Sequence, residues 1–363
     1  MSTPHKQIPI HGYPTMVGPS YAPIKTESEV FSLSLHPTED LITIAQLTGH
    51  VACYRYTDDG AAPVEVWKAK RHKKSSRGVQ FTDDGLHLVS VGRDRVIKKA
   101  ATETGRVVAK MTDAHDDAIN ALTIMSETLI ATGDDSGCVK FWDERKPGKA
   151  VREYVHHFDY ISSLQPLDAK VLVATSGDAS LSVLDIRKGA FVAQSEDQED
   201  DLTSCALVKN GKKLVVGQAE GVCTLFNVMK DNSQWGDHVD RIPGHPGSVD
   251  TMIAVDQDRV VTGCSDGIVR ILNIQPNKFN GVLGAHDEGM GVECLDLMRG
   301  GEWVASGGGS EVLFHRINAD EEDEEKRDRS HDSDSDDEPR KKKKGKKMKD
   351  TAKPKNAFFA GLD

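Results

Sequence analysis

Apolar and polar residues alternate along most of this chain in short runs, and the runs come in groups. The clearest group is built on Leu129-Ile-Ala-Thr and Cys138-Val-Lys-Phe-Trp142-Asp143, two alternating stretches joined by the turn Gly-Asp-Asp-Ser-Gly. Ahead of it stand a third run, AINALTIM, and the turn residue His115; AVREYVHH follows. Period-two alternation over such lengths, bounded by Gly, Asp and Ser, predicts half-buried strands joined by tight turns. The same unit returns at intervals of roughly 35–45 residues, the spacing of a propeller blade rather than of a helical repeat.

Seven such units follow one another. They open with EVFSLSL, RGVQF, AINALTIM, ISSLQPL, LTSCALV, VDTMIAV and GVECLDL. Six of them continue through four runs, whereas the last offers only three before the chain turns hydrophilic after Ile317. A three-stranded last blade leaves an open edge and an unclosed ring. The proline-containing arm, residues 1–26, is the expected remedy, with part of Tyr13–Lys25 adding the missing outer strand. The predicted fold is thus all-β: an arm over 1–26, a seven-bladed propeller over 27–317 and a disordered, charged tail over 318–363.

Charge sharpens that division. The net charge is −11, yet the tail holds an acidic and then a basic block that nearly cancel, which leaves the propeller body acidic. An acidic body argues against a general nucleic-acid surface and for protein partners. Two local departures stand out, the basic Lys70-Arg71-His72-Lys73-Lys74 before the second unit and the acidic link SEDQEDD before the fifth. The six cysteines show no C-x-x-C spacing and sit in apolar runs, as small buried hydrophobes of a reduced interior do. No apolar run is long enough to span a bilayer and no secretory leader is evident, so a soluble, intracellular protein without membrane attachment is expected.

The tail carries three distinct signals. Ser333 and Ser335 lie within acidic residues, the surroundings an acid-directed kinase of the casein-kinase-two type accepts. Arg340, Lys341, Lys342, Lys343, Lys344, Lys346, Lys347 and Lys349 form a block dense enough for an importin groove or for RNA phosphate. The abruptly apolar end, with Phe358, Phe359 and Leu362, has the makings of a docking peptide.

Motifs of catalysis are missing: no phosphate-binding loop, nucleophile elbow, zinc-protease helix or dinucleotide fingerprint is present. The glycines of VASGGGS precede a strand, so no helix N-terminus is there to hold phosphate. His156-His157 with Asp159 has loose metal spacing, without a further ligand nearby. No catalytic residue, metal or cofactor is expected, and a monomeric binding platform is.

The units resemble the WD40 family over most of the chain. There, a histidine before the first strand, a Ser or Thr on the second, a turn aspartate and a tryptophan on the third form a buried hydrogen-bond network. Here the resemblance is incomplete in every unit. The third has His115, Thr132 and Trp142, but Ser136 stands where the acid belongs. The second, fourth and sixth keep His72 with Asp94, His157 with Asp178 and His245 with Asp266, yet place Ala100, Leu184 and Leu272 at the tryptophan position. The seventh keeps His286 without the acid. All these histidines are read as structural.

Trp142-Asp143-Glu144-Arg145 and Leu184-Asp185-Ile186-Arg187 set Asp-x-Arg at matching places in adjacent units. These are similar to the W-D-x-R boxes of WD40 substrate receptors of cullin-RING ubiquitin ligases, in which the arginine contacts the ligase adaptor. Trp142, Asp143, Arg145, Asp185 and Arg187 are therefore candidate adaptor contacts. The degenerate propeller, the opening EVFSLSLHP, the acidic serine run, the lysine block and the Phe-Phe end together resemble the WD repeat-containing protein 55 family, whose fungal members are the Jip-five proteins. That resemblance implies a non-enzymatic nuclear and nucleolar scaffold in ribosome biogenesis, partnered by assembly factors or ribosomal proteins. For plant relatives it implies a link to the cullin adaptor.

Overall fold

The structure is a computed structural model that describes residues 20–229, 235–287 and 289–317. All of its regular structure is β, in seven four-stranded antiparallel sheets. Six are formed by consecutive strands, from Val30–Leu35 through Val64–Lys70 in blade one to Thr251–Ala254 through Lys278–Ala285 in blade six. Blade seven contributes Cys294–Leu297, Trp303–Gly308 and Glu311–Arg316, and its fourth strand is Ile24–Lys25 from the other end of the propeller. Ile24 pairs with Val312 and Lys25 with Glu311. The first strand of each blade packs against the first strand of the next, and that of blade seven against blade one, so the ring closes.

The hydrophobic core is divided among the seams. Seven clusters of buried side chains each join two neighbouring blades. Alternation produces this arrangement: one face of each sheet packs on the preceding blade and the other on the next. Along Cys138–Asp143, Val139 and Phe141 face blade four whereas Trp142 faces blade two. All six cysteines are free and buried. Burial, the leading cause throughout, pushes the thiols of Cys53, Cys138, Cys223 and Cys264 up to about 12, which keeps them protonated and inert.

Neighbouring blades are also joined through their turns. Gly137 and Gly221 adopt φ of 83° and 79° between the second and third strands of blades three and five. A Cβ on either would lie 2.5 Å from the carbonyl oxygen of His157 or 2.3 Å from that of His245. Both the left-handed backbone and the close approach therefore require glycine. Each turn so holds the histidine that opens the next blade.

Candidate functional site

The structure assembles the histidine network most fully in blade three. The Trp142 indole N–H donates to Thr132 Oγ1 at 2.8 Å, and that hydroxyl lies 2.7 Å from His115 Nε2. His115 Nδ1 lies 2.6 Å from Asp134 Oδ2. Since an ionised carboxylate only accepts, the Nδ1–H donates to Asp134 and Nε2 receives the Thr132 hydroxyl, a single consistent tautomer. Asp134 also accepts from the Ser136 backbone N–H and hydroxyl and from the Cys138 N–H. The expectation that blade three lacks its acid is thus corrected. Asp134 supplies it from two residues upstream, and Ser136 supports Asp134.

His115, Asp134 and Cys138 also bring three ligand-type atoms within 4.8 Å of one another. The set suits hydrogen bonding better than a metal. Both Asp134 oxygens already accept donors, and the Cys138 thiol is held protonated by burial and then by Asp134.

Other blades reach the same end by substitution. In blade two, His72 Nδ1 lies 2.7 Å from Asp94, and Nε2 3.1 Å from Ser90. In blade four, Asp178 holds His157 Nδ1 at 2.9 Å, but Ala174 takes the hydroxyl position. Its cross-strand partner Ser182 provides the hydroxyl instead, 2.8 Å from Nε2. Burial pushes the Asp178 carboxyl up, but donors from His157, Ser180 and the Phe158 N–H outweigh it and hold it well below the usual range. In blade seven, His315 occupies the tryptophan position opposite Val304. Its Nε2 reaches Ser306 Oγ at 2.7 Å, and the same hydroxyl lies 2.8 Å from His286.

Blade six departs from expectation. His245 bonds Thr262 at 2.9 Å, but Asp266 does not face it. Arg270, directly opposite Thr262 on the third strand, draws Asp266 away through bonds of 2.6 and 3.1 Å. A guanidinium fork satisfies both carboxylate oxygens at once, more than one imidazole N–H can. His245 Nδ1 is left buried without a partner, and burial followed by Arg270 pushes its pKa down to about 4.

The two Asp-x-Arg turns are near copies. Asp143 accepts from Arg145 Nε at 2.9 Å, Nη2 at 2.7 Å and the backbone N–H at 3.0 Å. Asp185 accepts from the same atoms of Arg187 at 2.8, 2.6 and 3.0 Å. Each aspartate pairs with the first residue of its blade's second strand, Leu129 or Val171. Leu184 in place of tryptophan leaves this turn unaltered and packs in the seam between blades three and four. The hydroxyl of Tyr154, on blade three's outer strand, lies 2.8 Å from the carbonyl oxygens of both Asp185 and Lys188, which share its single proton. The second box is thereby fastened to the blade that carries the first. The forks stay accessible, with 72% and 60% of the two arginine side chains exposed.

Matches to known proteins follow this architecture. The profile of the WDR55 family covers residues 21–319. The chain belongs to the WDR55 family. It is 40% identical to the WD repeat-containing protein JIP5 of Coprinopsis cinerea over 83% of this chain and 76% of that protein. It is 39% identical to WD repeat-containing protein 55 of Arabidopsis thaliana over 72% of each. With its namesake in Rattus norvegicus it shares 37% over 80% of this chain and 74% of that one.

For this WDR55-family chain, several residues singled out from sequence fall elsewhere. His156 stacks on Phe191 at 3.9 Å and bonds Gln194, while His157 turns to Asp178, so neither joins Asp159 in a metal site. Ser333, Ser335, the basic block Arg340–Lys349 and Phe358, Phe359 and Leu362 lie outside the described residues. One feature not anticipated is Phe158, a loop phenylalanine 92% exposed. Its only sequence signal is an aromatic side chain between His157 and Asp159 where a polar turn residue is expected.

Proposed function

We propose that this protein is a non-enzymatic nucleolar scaffold in ribosome biogenesis. What supports the reading is a closed ring whose blade-opening histidines His72, His115, His157, His245 and His286 are all tied into structural bonds, leaving accessible loops and rims as the working parts. The lysine block and acidic serine run would supply importin binding, nucleolar retention and weak ribosomal RNA contact, while the propeller holds an assembly factor or ribosomal protein. Affinity purification of the full chain from nuclear extract is the test. Pre-ribosomal factors and ribosomal RNA are expected with it; recovery of no ribosomal or assembly proteins would sink the reading.

The paired arginine forks favour a second reading, a substrate receptor that engages a cullin-ligase adaptor through Asp143, Arg145, Asp185 and Arg187. Two closely similar turns on adjacent blades, fastened together by Tyr154 and each presenting an exposed arginine, suit one flat partner. Both roles are compatible. Arg145→Ala with Arg187→Ala separates them, since adaptor capture would vanish while nucleolar residence and assembly factors stayed.

A further inference from the structure

The seam between blades two and three is open at its outer end. In blade one, strand register aligns Thr43, Cys53 and Trp67 across the sheet; in blade two the corresponding residues are Val89, Lys99 and Ala109. Trp67 plugs the seam between blades one and two, its indole N–H donating to the Thr102 carbonyl at 2.7 Å. Ala109 cannot plug the next seam. A cleft of about 850 Å³ results, walled by the outer strand Val107–Met111 on one side and the loop after Asp143 on the other.

The floor of this cleft is apolar, formed by Ile97, Met111, Ile130 and Trp142. Five lysines reach it: Lys99, Lys110, Lys140, Lys146 and Lys149. Two are spent within the wall, Lys99 on Glu144 at 2.6 Å and Lys140 on Glu153 at 3.1 Å. Of the other acids in the lining, Asp143 is held by Arg145 and Asp113 by Arg95. Lys110, Lys146 and Lys149 are exposed and make no ion pair among the described residues. Three uncommitted ammonium groups ring an apolar pocket on a body that is otherwise acidic. The volume suits a bulky side chain and its neighbours, and the charge selects what comes with it.

We infer that the cleft between blades two and three is a docking site for an acidic protein segment that inserts one bulky apolar side chain against Trp142 and Ile97, its carboxylates meeting Lys110, Lys146 and Lys149. This goes beyond the scaffold reading and stands on the seam alone, whether or not the protein is nucleolar. The apolar floor also favours a peptide over RNA, whose sugar-phosphate backbone carries no aliphatic side chain to fill it.

The test is fluorescence anisotropy on the full-length protein with a labelled synthetic peptide rich in Asp and Glu around one central Leu. Ala109→Trp, which copies blade one's plug, is expected to weaken binding by about tenfold or more, and so is Lys146→Glu with Lys149→Glu. Added salt is expected to weaken the wild-type complex. The lysine variant changes only exposed side chains, so it answers the question even if Ala109→Trp folds poorly. Wild-type affinity in both variants overturns the proposal. So does equal binding of a peptide with Lys for every acid, or an oligoribonucleotide that binds the cleft more tightly than the acidic peptide. Because the probe is purified, its failure leaves the nuclear-extract experiment undisturbed, and the converse holds.

Discussion

Asp134 Oδ2 lies 2.6 Å from His115 Nδ1, with both side chains removed from solvent. The aspartate belongs to the end of a strand, and the turn that follows folds Ser136 and Cys138 back onto its other oxygen. A buried carboxylate is stable only when its lone pairs are occupied. Here a histidine, a hydroxyl and two backbone N–H groups occupy them.

Asp134→Ala is therefore expected to lower stability by about 3 kcal/mol or more, since it strands the His115 N–H and two backbone donors. Ser136→Ala removes one supporting hydroxyl and is expected to cost about 1 kcal/mol. Urea denaturation of the two variants measures both. A Ser136 effect as large as that of Asp134 would return the acid's role to position 136.

How much of this could be read from the chain depended on whether the cause was local. The strands were legible because half-buried alternation is written residue by residue, and His115, Thr132 and Trp142 were legible because each keeps its family place. Asp134 was not, because a shift of two residues along a strand end preserves the direction of the side chain while changing its place in the motif. His315 was missed since an imidazole N–H can stand for an indole N–H only when Ser306 is seen beside it. Arg270 capturing Asp266 and Ser182 replacing the hydroxyl lost at Ala174 both depend on cross-strand register. The open seam is less local still: it arises because Ala109 fails to fill a space that belongs jointly to two blades.

Two histidines pushed far down, with His286 moved the same way by burial, give the protein a pH dependence of stability. Burial and Arg270 push His245 down to about 4, and burial and His286 push His315 down to about 4. In the unfolded chain imidazole titrates near 6.5. Between those values the unfolded state binds protons that the folded state refuses, so stability is fully present above about pH 6.5 and is lost as pH falls toward 4. At pH 4.5 each contributes a loss on the order of 2 kcal/mol. Asp94, Asp134 and Asp178, all depressed, add their losses only at lower pH. His245→Gln with His315→Gln is expected to flatten the change in urea midpoint between pH 7 and pH 4.5. An unchanged slope would show that these imidazoles are protonated in the fold.

Ring closure rests on few residues. Among the described residues, Ile24 and Lys25 pair with blade seven and Ser20 bridges to Asp59, while Tyr21 packs on Trp303, Phe314 and Tyr56 with ring centroids 4.9, 5.4 and 5.7 Å away. Aromatic contacts of this kind are worth about 0.5–1.5 kcal/mol each beyond burial. Tyr21→Ala is accordingly expected to cost about 2–3 kcal/mol in denaturation. Deleting residues 1–25 exposes the edge of Glu311–Arg316 and is expected to lower the melting temperature and raise light scattering. A truncated chain that melts as the full one does would show that the seam between blades seven and one holds without its clasp.

The arginine forks should separate binding from folding. Arg145 pulls the Asp143 carboxyl down to about 2 through its fork and its backbone N–H. The guanidinium groups are largely exposed, but the Asp143 and Asp185 side chains are only 11% and 5% exposed, so removing the forks leaves each carboxylate with fewer donors where water reaches it poorly and costs some stability. Tyr154 and the backbone bonds of the two turns hold the loops without help from the guanidinium groups. Arg145→Ala with Arg187→Ala is thus expected to lower the urea midpoint slightly while the chain stays folded in buffer, so any partner lost by that variant without denaturant is lost from the surface. Tyr154→Phe tests the bridge: it keeps both forks but frees the second turn, so an adaptor needing both boxes should bind more weakly and one needing either should not notice. If the double alanine variant is already unfolded without denaturant, the forks are essential to the fold, and a lost partner would say nothing about where it binds.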